Sequence, residues 1–86
     1  MYRIEYTRGV VKSLRRMPVR VARLVRSKIE ALATDPFAAN NNVKALTGRP
    51  GYRLRVGDWR VIYELDTSGR ILIVLAIAPR SSIYGP

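Results

Sequence analysis

The segment Tyr52-Arg53-Leu54-Arg55-Val56-Gly57-Asp58-Trp59-Arg60-Val61-Ile62-Tyr63 alternates around a Gly-Asp pair, and that pattern leaves few folds open. Alternation with a period of two marks a strand with one buried face, and Gly-Asp between two such runs supplies a turn. With Gly57-Asp58 as a two-residue hairpin turn, Val56 pairs with Trp59 and Arg55 with Arg60. Tyr52, Leu54, Val56, Trp59, Val61 and Tyr63 then share one face, and Arg53, Arg55 and Arg60 share the other.

The remaining chain offers cover for the apolar face. Tyr2, Ile4 and Tyr6 alternate with Arg3 and Glu5, which predicts a half-buried strand. Thr7 is placed to N-cap a helix running to about Met17, with Val10, Val11 and Leu14 at helical spacing. Pro18 breaks that pattern and suits the first turn of a second helix, Pro18 to Ala33, in which Val21, Leu24, Val25, Lys28, Ile29 and Leu32 repeat at i, i+3/i+4 and give one apolar stripe. Two helices joined around Pro18 make a helical hairpin. Phe37 to Pro50, with Asn40, Asn41 and Asn42 in a row, reads as a loop in which Val43, Ala45 and Leu46 form a short apolar clip. After a turn at Thr67-Ser68-Gly69, the continuous apolar run in Arg70 to Ala78 marks a central strand buried on both faces. The expected order is β-α-α-β-β-β. That is one α+β domain over residues 1–86, with an N-terminal strand and a helical hairpin packed on a twisted antiparallel sheet.

Charge narrows the function. Sixteen Lys and Arg face six Asp and Glu, a net charge of +10, and thirteen of the sixteen are arginine. The arginine fork suits phosphate and keeps its charge at any relevant pH, so a polyanionic partner is expected: nucleic acid, an acidic protein, or both. The opening residues lack the apolar core of a signal peptide, and the longest apolar run, Ile71 to Ala78, has eight residues where a spanning helix needs roughly 20. A soluble, cytoplasmic protein without a membrane partner is the expectation. A chain this short buries only ~60% of its unfolded surface. With no cysteine to staple it, a partner is expected to add stability.

Two readings fit the arginine face. Arg53, Arg55 and Arg60 are either solvated outward positions, partly neutralised by Glu64 or Asp66, or a built phosphate site. Like charges opposite each other cost stability, so three arginines on one face call for a ligand or a carboxylate. Arg80 and Tyr84 follow the central strand and are candidates to join that face.

Elimination limits the chemistry. The chain has no histidine and no cysteine, which removes imidazole triads, His-ligated metals and thiolate nucleophiles. Its glycines fit neither the P-loop nor the dinucleotide spacing. Glu64 and Asp66 share a strand face while Asp58 lies in the turn, so they do not converge as a metal site, and neither a metal nor a cofactor is expected. Arg, Lys and Tyr remain, and they suffice for RNA. The 2′-hydroxyl is an internal nucleophile beside its own phosphate, and fixed guanidinium groups stabilise the charge that develops on that phosphate.

The run from Tyr52 to Glu64 resembles the signature of the RelE/ParE toxin family. The opening strand, the paired helices, the lead-in Leu46-Thr47-Gly48-Arg49-Pro50-Gly51 and the tail from Arg80 to Tyr84 follow the same plan, so the resemblance spans essentially the whole chain. It implies two helices over a twisted sheet and a cognate acidic antitoxin, held in a toxin–antitoxin hetero-oligomer. In the RelE branch it implies ribosome-dependent, metal-independent cleavage of mRNA in the A site. By this resemblance Arg53 orients the phosphate, Arg60 stabilises the transition state or helps the leaving group, and Arg80 contacts the scissile phosphate. Tyr84 acts as general base or stacks on a base. Arg55 matches a motif position, and with Lys44 and Arg49 it is expected to bind RNA. Two alternatives stay open: a ParE-like inhibitor of DNA gyrase with the same fold, and a non-catalytic module that holds RNA or antitoxin.

Overall fold

The computed structural model describes residues 1–83. Its elements are β1 (Arg3–Tyr6), α1 (Arg8–Arg16), α2 (Val19–Thr34), β2 (Val43–Ala45), β3 (Tyr52–Val56), β4 (Trp59–Asp66), β5 (Ile71–Pro79) and a one-turn α3 (Arg80–Ile83). Thr7 caps α1 as its sequence position predicts: its backbone is extended and its hydroxyl accepts from the Val10 N–H at 3.4 Å. Arg15 and Arg16 fall in the last turn, where cations suit the negative end of the helix dipole. Pro18 stands at the N-cap of α2, where its missing N–H costs no hydrogen bond.

The α+β architecture is the expected one, with a difference in the sheet. The strand order is β1-β5-β4-β3-β2, and β1 runs parallel to β5 while the other neighbours are antiparallel, so the sheet is mixed. The β3–β4–β5 meander leaves one edge of β5 free. The helical hairpin returns the chain far from β1, so β1 fills that edge without needing a tight turn. A second difference lies in Phe37–Pro50. Val43–Ala45 pair with β3 as an edge strand, where a loop with an apolar clip was expected, and Ala45 is exposed.

The apolar faces meet as the alternation demands. Val10, Leu14 and Met17 of the first helical segment and Val25, Ile29 and Leu32 of α2 pack on Leu54, Val56, Val61, Tyr63, Leu72, Val74 and Ile77 of the sheet. Leu24 departs from expectation. It is 48% exposed, because the buried side of α2 follows Val25, Ile29, Leu32 and Ala33, and Leu24 lies off that line.

The register on β5 slips once. Ile62 pairs with Ala76 and Tyr63 with Val74, so Leu75 is an extra residue, a β-bulge. The slip keeps Leu72, Val74 and Ile77 in the core and turns both Leu75 and Ala76 towards the far side of the sheet.

Candidate nucleic-acid interface

The far face of the sheet carries two rows of side chains across its strands. One row is Lys44 opposite Arg53, then Ile62 and Ala76. The next sets Arg55 directly opposite Arg60, with Ala78 beyond. The Gly57-Asp58 turn produces this register. Gly57 has φ +57° while Asp58 does not enter the positive region, which is the pattern of a turn with glycine at its first central position.

The two rows enclose a cleft of about 130 Å³, lined by Asn41, Asn42, Lys44, Arg53, Arg55 and Arg60. Four of the six are cations and none is acidic. Arg60 is the most enclosed, at 9% exposure. Its Nη1 donates to the carbonyls of Gly57 and Trp59, each at 2.9 Å, which fixes the guanidinium against the turn. Arg55 donates through Nε (3.2 Å) and Nη2 (2.8 Å) to Oδ1 of Asn42. Among the described residues no carboxylate pairs with Arg55 or Arg60. Asp66 is occupied elsewhere, accepting from the Gly69 N–H at 3.1 Å in the β4–β5 turn.

A wider groove of about 640 Å³ adjoins the cleft and shares Lys44 and Arg53 with it. Its floor is apolar, from Ile62 and the bulge residues Leu75 and Ala76, and its wall is Leu46, Thr47 and Arg49. The loop bearing Arg49 is closed by the Leu46 N–H donating to the Gly51 carbonyl at 3.0 Å. Gly51 has φ +112°, and a Cβ there would lie 2.9 Å from the Tyr63 carbonyl oxygen, so glycine alone fits this close approach. A cationic cleft opening into an apolar floor can take a phosphate and the flat face of a base side by side.

The structure brings Lys44, Arg49, Arg53, Arg55 and Arg60 around these two hollows. Arg80 is exposed and lines neither of them. Its backbone N–H donates to the Asp58 carbonyl at 2.8 Å, so it starts from the same turn that holds Arg60. Tyr84 lies outside the described residues. Sequence reading missed Asn42, Ile62, Leu75 and Ala76. Ile62 was legible, since an apolar residue between Arg60 and Glu64 breaks the outward alternation. The other three depend on pairing and on the bulge.

Among the described residues there is no cluster of three or more potential metal-ligating side chains, and no helix is long and apolar enough to cross a membrane. The family described as the ParE toxin of the type II toxin–antitoxin system parDE matches residues 4–84. A protein of Methanocaldococcus jannaschii named as a candidate toxin RelE1 is 31% identical over 85 residues, covering 96% of this chain and 94% of the relative. The archaeal RelE–RelB complex from Pyrococcus horikoshii superposes with a TM-score of 0.77 at 28% identity, over 93% of this chain and 96% of that one. The intact E. coli RelBE complex gives 0.80 at 17% identity, over 94% and 99%, a likeness of fold. With the arginine-bearing hairpin, the helical cover and these matches in agreement, the chain belongs to the RelE/ParE family of toxins from type II toxin–antitoxin systems.

Proposed function

We propose that this toxin is a ribosome-dependent mRNA endoribonuclease that cleaves by attack of the RNA 2′-hydroxyl, without a metal. The observation that carries the reading is the cleft lined by Lys44, Arg53, Arg55 and Arg60, with no acidic residue among the described residues that line it. Like charges placed opposite one another are destabilising unless an anion joins them, and a scissile phosphate is such an anion. Arg60, fixed by two carbonyls and largely shielded from water, suits the charge that builds on the phosphorane. Arg53 orients the phosphate between the cleft and the groove. Lys44, Arg49 and Arg55 hold the flanking backbone, and the floor of Ile62 and Leu75 receives a base. Arg80 contacts the phosphate from beside the Gly57-Asp58 turn, and Tyr84 takes the 2′-hydroxyl proton or stacks on a base.

The partner follows from charge and kinship. The related P. horikoshii structure is a RelE–RelB complex. A chain of net charge +10 is set up to be steered onto an acidic antitoxin. We expect the antitoxin to raise the melting temperature markedly, by mass action on the folded state.

The family description as a ParE toxin supports a second reading, inhibition of DNA gyrase through protein contacts. Brief induction followed by 5′-end mapping of cellular mRNA separates the two, using the wild-type protein, Arg60→Ala and Tyr84→Phe. Cuts within coding frames that vanish in both variants support the nuclease. Growth arrest with intact mRNA and a DNA-damage response rules it out in favour of gyrase.

A further inference from the structure

We infer that Asn42 is a positioning residue: its neutral side-chain oxygen fixes the Arg55 guanidinium at the cleft without cancelling its charge. The inference rests on the reading that this cleft takes phosphate. Oδ1 of Asn42 accepts from both Nε and Nη2 of Arg55, at 3.2 and 2.8 Å. That leaves the outer edge of the fork, including both Nη1 hydrogens, for a ligand. The backbone already ties these residues, since the Arg55 N–H donates to the Asn42 carbonyl at 2.8 Å. Attaching the 40–42 segment to β3 therefore does not require the side-chain bonds. What they add is orientation of a long cation that would otherwise have to be ordered when RNA binds.

The neutrality of the acceptor matters as much as its geometry. A carboxylate in the same place would hold the guanidinium by a stronger, charge-assisted pair, but it would also neutralise the cleft. Arg60 is held in the same way, by the carbonyls of Gly57 and Trp59. Both arginines that face each other across β3 and β4 are thus anchored on neutral oxygens, which leave the charge of each for a ligand.

The test uses the full chain and a short 2′-O-methyl RNA, which lacks the nucleophile and cannot be cleaved. Binding is measured for wild type, Asn42→Ala, Asn42→Asp and Asn41→Asp, with the Arg55 Nε–H resonance followed by NMR. Asn41 lines the same cleft, so its aspartate variant brings the same charge without an observed bond to Arg55. Asn42→Asp should keep the protected Arg55 resonance yet weaken binding about tenfold, as when one charged hydrogen bond to phosphate is lost. Asn41→Asp should weaken it less. Asn42→Ala should lose the resonance and weaken binding several-fold at unchanged net charge. Wild-type affinity in Asn42→Ala, or equal weakening by the two aspartates, overturns the inference. A wild-type protein that does not bind the RNA overturns the phosphate reading of the cleft, and this inference with it.

Discussion

Arg55 and Arg60 stand directly opposite each other on β3 and β4, and among the described residues no carboxylate pairs with either. An arrangement that costs stability and persists beside the hairpin turn points to a function that needs it. Stability and activity should therefore move in opposite directions when it is relieved. Arg55→Glu places opposite charges across the strand pair and should stabilise the fold by roughly 0.5 kcal/mol, read as a higher urea midpoint with an unchanged slope. The same variant should no longer arrest growth. A lowered midpoint, or retained toxicity, would contradict this account of the pair.

Four cations line the cleft, and each phosphate contact releases counterions from RNA. If all four meet phosphate, the logarithm of the binding constant for a single-stranded RNA should fall against the logarithm of salt with a slope of about −3. Removing Lys44, Arg53 or Arg55 singly should lower the steepness by about 0.7 each. Titrations at several salt concentrations measure this directly. A slope near zero would mean that the face does not engage the RNA backbone.

Much of this site is legible in the amino-acid order alone. The hairpin and its two faces follow from alternation and a two-residue turn, because a strand's period of two does not depend on what the strand packs against. The caps of the helices are legible for the same local reason. What escapes needs long-range pairing. The parallel partnership of β1 with β5 leaves no mark in either strand. The strand Val43–Ala45 is three residues long and follows three asparagines, so it reads as loop. The bulge at Leu75 hides within a run that is apolar on every position. Asn42 joins the site only because β2 brings it opposite Arg55.

Gly51 offers a test of how the groove wall is held. Its φ of +112° lies where residues with a side chain are strained, and a Cβ would meet the Tyr63 carbonyl at 2.9 Å and Glu64 Cγ at 3.2 Å. Gly51→Ala should destabilise the protein by about 2 kcal/mol or more, from backbone strain of about 1–3 kcal/mol together with the clash. Gly48 also has a positive φ, of +75°, but open space around it. Gly48→Ala should therefore cost less, and Gly48→Asn less again, since asparagine tolerates a left-handed backbone. Chemical denaturation of the three variants gives the ranking. Equal losses at 48 and 51 would remove the argument from close approach.

Tyr63 is buried in the core, stacked on Tyr52 with ring centroids 5.4 Å apart, and among the described residues its hydroxyl has no hydrogen-bond partner. An unpaired buried hydroxyl costs about 1–3 kcal/mol, so Tyr63→Phe should be neutral or stabilising by about 1 kcal/mol at neutral pH. Burial, and secondarily the neighbouring Tyr52, pushes the Tyr63 phenol up from 10.0 to about 12. Tyr6 is raised as well, by burial and then by Glu30, with Arg26 opposing. A raised acid keeps its proton in the folded state after the unfolded chain has lost it. These groups thus add no pH dependence well below pH 10, and stability falls as pH climbs from 10 towards about 12. Melting temperatures across that window should drop steeply in the wild type and less steeply in Tyr63→Phe, with the contribution of Tyr6 remaining. A lower melting temperature for Tyr63→Phe at pH 7 would show that the hydroxyl strengthens the fold, and an unchanged alkaline slope would show that Tyr63 is not the group that titrates there.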